Sequence, residues 1–195
     1  MKSVLISIRP KWCELIASGK KTVEVRKTRP KLDLPFKVYI YCTKDNAFAE
    51  KTLRGFHEAG KAIYYKANKG KVIGEFVCDR VYETEKMFFG KDGDMTLADI
   101  KENSCLTGAE MNEYAKGSFL YGWPISDLVI YDKPKELGEF YHYCGDNPKC
   151  DGCKAHYFSD TECGKEDYCC SLIEGCKPLK RPPQSWCYVE DITAY

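Results

Sequence analysis

The run ASGKKTVEVRK, residues 17–27, sets a lysine, a carboxylate and a guanidinium within six positions: Lys21, Glu24 and Arg26. In an extended strand, alternation puts Thr22, Glu24 and Arg26 on one face and Val23 and Val25 on the other. Glu24 and Arg26, two residues apart, can hold each other in an ion pair. They can still offer donors and an acceptor to a base edge or a phosphate. Lys21 adds a movable ammonium at the corner, or a general base where desolvation frees its lone pair. Lys20 adds a second cation and Thr22 a hydroxyl. An ordinary solvated strand face would carry the same residues, with a surface ion pair worth at most ~1 kcal/mol.

A second group of reactive side chains lies near the C-terminus. Of 12 cysteines, seven fall between Cys144 and Cys176. CGDNPKCDGC contributes Cys144, Cys150 and Cys153, and its C-x-x-C turn around Gly152 lets two thiolates reach one tetrahedral ion. The fourth ligand comes from Cys163, Cys169, Cys170 or Cys176, and we take Cys170. His142 and His156 are further options. Four cysteine ligands leave no open coordination position, so the expected zinc is structural. Disulfides and an iron–sulfur cluster are the competing uses of such thiols. Cys13, Cys42, Cys78 and Cys105 are scattered and are expected to be buried apolar fillers.

The elements that must position these residues follow from periodicity. SVLISI (3–8) is an apolar strand. Pro10 opens a helix of about 9 residues, with Trp12, Leu15 and Ile16 on one face and Gly19 as its cap. KTVEVRK, KVYIYCT (37–43), KVIGEFVCDRVYE (71–83), YGWPISDLVIYD (121–132) and SWCYVEDI (185–192) are strand-like. Gly74 marks a bulge or a close approach. Helical patterns lie around 48–57, in MTLADIKE and in TGAEMNEYAKG, where Thr107 with Glu110 makes a capping box. Strands with a few short helices predict an α+β fold, a small β-barrel or strongly curled mixed sheet with short flanking helices. Residues 141–184 are rich in Cys, Asp, Gly and Lys and poor in aliphatics. They predict a zinc-knuckle-like insert, set at 141–177, between a domain of 1–140 and its completion at 178–195.

The chain of 195 residues suits one domain with a small appendage. Its net charge of +1 conceals an asymmetry. Residues 1–71 hold 17 Lys/Arg and 6 Asp/Glu, while 72–195 hold 13 and 23. A basic half suggests an anionic partner, with nucleic acid the usual one, although the two halves can also neutralise each other in the fold. The N-terminus reads as a strand rather than a signal peptide, and no run is long enough to span a membrane. A cytoplasmic protein without membrane contact is expected. No Ser-His-Asp or HExxH pattern is present, so common hydrolase routes lack support.

The segment IASGKKTVEVRK resembles the ASCH domain family, a PUA-like fold whose signature is G-x-K-x-x-E-x-R. Gly19, Lys21, Glu24 and Arg26 fill it. SIRPKWCELI and GKVIGEFVCDRV resemble the strand, helix and central strand around the motif. YGWPISDLVIYDKPKELGEF and RPPQSWCYVED are similar to phage and prophage members. The resemblance implies RNA or a modified nucleotide held in a cleft beside the barrel. It also admits an amidohydrolase acting on N4-acylated cytidines, or a ribonuclease, with Lys21 as the catalytic base. The amidohydrolase threonine falls on Glu24, so Thr22 is the neighbouring hydroxyl, and its glutamate on Glu102 or Glu110. Aromatic rings stack well on bases, and Trp12 and Trp123 are the best candidates. Gln184 and Ser185, in a loop stiffened by prolines, could read a base edge. A protein partner is possible through the cysteine-rich insert.

Overall fold

Alternating apolar residues build the central sheet. Strand β1 (Lys2–Ile8) turns Val4, Ile6 and Ile8 into one core and Leu5 into another, and all four are buried. Strand β3 (Phe36–Cys42) does the same, with Val38, Ile40 and Cys42 against Tyr39 and Tyr41. A sheet with apolar residues on both faces is covered on both faces. The computed structural model describes residues 2–44, 69–85, 95–143 and 178–192.

Strands β4 (Lys71–Cys78), β7 (Ser126–Glu136) and β8 (Trp186–Glu190) complete a five-stranded sheet in the order β7-β4-β3-β1-β8. β1 and β3 run parallel; the other neighbours are antiparallel. A second sheet has three strands in the order β2-β6-β5, formed by Val23–Arg26, Tyr121–Pro124 and Tyr82–Glu83. The runs 71–83 and 121–132, each predicted as one strand, are therefore two strands apiece. Each crosses from one sheet to the other, at Asp79–Val81 and at Ile125. Ile125 donates its N–H to Thr22 O at 2.9 Å, which anchors that crossing to the approach of β2. The described strands form two sheets in the expected α+β arrangement, and their strand orders assign no closed barrel.

Gly74 is a bulge and a close approach at once. The register with β3 and β7 shifts beside it, and a Cβ there would lie 2.3 Å from Val129 O. No other residue fits without moving backbone.

Among the described residues, three α-helices flank the sheets: α1 (Pro10–Ala17), α2 (Leu97–Ser104) and α3 (Gly108–Ala115). α1 has Pro at its first position and buries Pro10, Cys13 and Ile16. Gly19, at φ +73°, then turns the chain toward β2. α2 and α3 both start in capping boxes, Thr96 with Asp99 and Thr107 with Glu110. They cover Val23 and Val25 in a third core containing Tyr82, Ile100, Met111 and Leu120. The helix predicted around 48–57 lies outside the described residues. No helix among those described is long and apolar enough to cross a membrane.

The chain leaves the described fold after Tyr143 and returns at Pro178, beside its point of departure. Tyr141 bridges Pro178, and Leu179 N donates to Phe140 O at 2.7 Å. The expected ligands Cys144, Cys150, Cys153 and Cys170 lie between these points, outside the described residues. Of the described cysteines, Cys13, Cys42 and Cys78 are buried as expected, whereas Cys105 and Cys187 are half-buried. Among the described residues, no group of three or more His, Cys, Asp or Glu could hold a metal ion.

Candidate functional site

The corner between α1 and β2 opens onto a cleft of about 900 Å³. Its floor is made by Lys21, Glu24 and Arg26. Alternation places Glu24 and Arg26 on the face opposite Val23 and Val25, with Lys21 at the corner, yet all four residues of β2 are buried. Lys21 is 3% exposed, Glu24 6% and Arg26 9%. Packing of α2 and α3 over one face and of the five-stranded sheet near the other explains this. Charges so enclosed must be compensated locally.

The compensation is visible atom by atom. Lys21 Nζ donates to Val23 O at 2.8 Å and to Ser104 O at 2.9 Å, and lies 3.3 Å from Glu24 Oε2. Arg26 Nε lies 3.0 Å from Glu24 Oε1, and its Nη2 donates to Ser7 O at 2.8 Å. Arg26 Nη1 reaches Ser185 Oγ at 3.5 Å. Glu24 thus stands between two cations. Its Oε2 and Arg26 Nε are close to their partners but off the line of a hydrogen bond, so these contacts are mainly coulombic. The three signature side chains tie together β2, the C-terminal end of α2, the end of β1 and the approach to β8.

The cleft walls come from separate parts of the chain. Trp12 of α1 lines one side; Lys11 Nζ sits 4.3 Å and Lys21 Nζ 5.3 Å from its ring centroid. Lys11 also pairs with Glu110 at 3.5 Å, joining α1 to the start of α3. α3 adds Tyr114, whose ring lies 5.3 Å from Lys27 Nζ. Hydrogen bonds from the Thr107 backbone and hydroxyl, with Lys11 nearby, hold the Glu110 carboxyl below its usual range. Gln184 and Ser185 form the remaining wall. Ser7 holds their loop: its N–H donates to Ser185 O at 2.9 Å and its Oγ to Pro183 O at 2.6 Å. Beneath the floor, burial pushes the Cys13 thiol well above its usual value, while a hydrogen bond with Cys13 lowers that of Cys42.

Six predicted site residues therefore meet in one cleft, Trp12, Lys21, Glu24, Arg26, Gln184 and Ser185, and Glu110, one of the two positions given for the amidohydrolase glutamate, lines it as well. Three do not line it. Thr22 is exposed and turned to α2, bonded through Oγ1 to Asn103 Oδ1 at 3.0 Å, because the corner after Gly19 breaks the alternation assumed for it. Lys20 is exposed beside it. Trp123 is fully buried, edge-on to Phe36 at 5.8 Å and tilted against Trp186 at 6.1 Å, so it is core and not a stacking platform. Arg9, Tyr114 and Lys116 line the cleft and escaped the sequence analysis. Tyr114 shares its helix with the core residue Met111 yet is itself exposed.

Residues 6–141, more than half of the chain, match the profile of the ASCH domain family. None of the curated proteins matches the chain in sequence. Among solved structures, the fold is similar to the crystal structure of ASCH from Zymomonas mobilis. That match has a TM-score of 0.53 and 16% identity, covering 97% of this chain and 88% of that one. Two mutants of the same Zymomonas mobilis protein are similar as well. The tyrosine-to-phenylalanine form has a TM-score of 0.50 at 16% identity, covering 98% and 92%. The serine-to-alanine form has a TM-score of 0.52 at 15% identity, covering 97% and 89%. Likeness at this identity is one of fold.

Proposed function

The chain belongs to the ASCH domain family, and we propose that it binds RNA or a modified nucleotide in the cleft floored by Lys21, Glu24 and Arg26. One observation carries this reading: two cations and one carboxylate, nearly sealed from solvent, form the base of a cleft walled by Trp12, Tyr114, Gln184 and Ser185. Such a cleft combines positive charge, aromatic faces and uncommitted amide and hydroxyl groups. Single-stranded RNA and nucleotides are recognised by that combination.

The geometry favours binding over the amidohydrolase and ribonuclease readings. Lys21 Nζ is enclosed by two carbonyl oxygens and a carboxylate, an arrangement that suits an ammonium and turns no lone pair toward the cleft. Thr22, the hydroxyl nearest in sequence, points to Asn103. The test is fluorescence anisotropy with labelled single-stranded RNA, alongside incubation with RNA and with N4-acetylcytidine. Binding that weakens with salt and no turnover is the expected result. Turnover abolished by Lys21→Ala would replace this reading with an enzymatic one.

We retain structural zinc, through Cys144, Cys150, Cys153 and Cys170, as a proposal that rests on their spacing in sequence. A protein partner through the same segment remains the third proposal. It is tested by whether deleting 144–176 abolishes partner capture and spares nucleotide binding.

A further inference from the structure

Resting on that reading, we propose that Arg26 and Ser185, with Arg9 at the rim, form a seat for one phosphate group of the bound nucleotide. Lys21 and Glu24 position this seat without touching the ligand.

Counting donors leads there. Lys21 has three N–H bonds, and three acceptors surround its Nζ. Glu24 Oε2 is sealed from solvent, and Oε1 faces Arg26 Nε. Lys21 is therefore spent on two carbonyls and on a coulombic contact with Glu24, whose Oε2 is closed off from the cleft. Arg26 has five N–H bonds in a rigid fork. Nε faces Glu24, one Nη2 proton goes to Ser7 O, and Nη1 meets Ser185 Oγ only at 3.5 Å. At least two Arg26 N–H groups therefore have no acceptor among the described residues. The Ser185 hydroxyl proton has none either, and the Arg9 side chain, exposed on the cleft wall, has no partner among the described residues.

Charge points the same way. Lys21, Glu24 and Arg26 sum to one positive charge, enclosed at 3%, 6% and 9% exposure. An excess charge on side chains so enclosed is costly until an opposite charge joins it. A neutral base edge cannot supply that charge, whereas a phosphate can. A phosphate also matches a guanidinium fork in two places, and Arg, unlike Lys, presents such a fork. Elsewhere the lining balances Glu110 and Glu113 against Lys27 and Lys116, and Glu110 is paired with Lys11, so the uncompensated charge with open donors lies at Arg26 and Arg9. The phosphate belongs at the Arg26 end and the uncharged base toward Trp12 and Tyr114.

Thermal shift and calorimetric titration at constant ionic strength provide the test. The probes are inorganic phosphate, the four ribonucleosides and their four 5′-monophosphates. At least one monophosphate is expected to bind on the order of 10-fold tighter than its nucleoside, equivalent to about 1.4 kcal/mol. Arg9→Gln and Ser185→Ala, which leave the floor intact, are each expected to remove much of that ratio. Equal responses to nucleosides and monophosphates, zero included, overturn the seat. So does a ratio that both variants leave unchanged. Phosphate alone matching the monophosphates supports the seat and identifies the free anion as its ligand. Anisotropy with an RNA 10-mer is read separately. Wild-type protein that binds no RNA and no nucleotide overturns the proposed function itself; RNA binding without phosphate preference overturns only the seat.

Discussion

Arg26 Nη2 donates to the carbonyl oxygen of Ser7 at 2.8 Å, so the last residue of β2 is bonded to the penultimate residue of β1 in the other sheet. This bond closes the cleft floor between the two sheets. The same guanidinium reaches Glu24 and Ser185. One lysine ammonium cannot span these three partners. Arg26→Lys is expected to lower stability by about 1.5–3 kcal/mol, the cost of a hydrogen bond to a charged group. Urea unfolding, with an unchanged m-value, checks it.

Glu24→Gln leaves Lys21 and Arg26 enclosed without a carboxylate between them. Removing one member of a buried charge network costs on the order of 3–5 kcal/mol. Denaturant titration reads this directly. A loss below about 1 kcal/mol would mean that the carbonyls of Val23, Ser104 and Ser7 suffice for the two cations.

The two tryptophans separate binding from folding. Trp12 lines the cleft and Trp123 is in the core. Trp12→Ala is expected to weaken RNA binding by about 1–3 kcal/mol, the worth of one base stack. Part of the ring face is shared with Lys11, 4.3 Å away, which a stacking base must displace. Trp123→Ala is expected to cost about 3–5 kcal/mol of stability. Comparing anisotropy with thermal melting for both variants distinguishes the roles.

The capping boxes make the helical wall of the cleft acid-sensitive. The Glu110 and Asp99 carboxyls are held below their usual range, chiefly by hydrogen bonds from Thr107 and Thr96. A depressed folded value means stability that is present above the unfolded value and lost as pH falls through the folded one. The Glu110 contribution is therefore intact above about pH 4.5 and declines below it. Thr107→Ala is expected to cost about 1 kcal/mol at neutral pH. Its stability difference from wild type should shrink on acidification, as followed by circular dichroism.

The cysteine proposal is tested by metal content. One zinc per chain is expected by elemental analysis, and none after Cys150 and Cys153 are both replaced by serine. The chain leaves the described fold after Tyr143 and returns at Pro178, where Tyr141 bridges Pro178 and His142 bridges Val189. Loss of the metal is therefore expected to leave the cleft, and RNA binding, unchanged.

The local frame of the site was legible in sequence because it obeys short-range rules. Pro10 opens α1 and Gly19, with its positive φ, ends it. Val23 and Val25 face a core, and Thr107 with Glu110 caps α3. Each depends on residues within about four positions, where steric limits and single hydrogen bonds decide. The signature residues were found by that route and by their resemblance to a family.

What parity along a strand cannot say is what covers each face. Only tertiary structure enclosed Glu24 and Arg26, set Trp123 between Phe36 and Trp186, and divided two apparent strands between two sheets. The reach of Arg26 to Ser185, 159 residues away in sequence, belongs there too. Such contacts depend on where the chain returns in space, which local propensity does not encode. The sequence by itself determined which residues carry charge at the corner. The fold decided that Arg26 keeps donors open to the cleft while Lys21 and Glu24 are spent holding it in place.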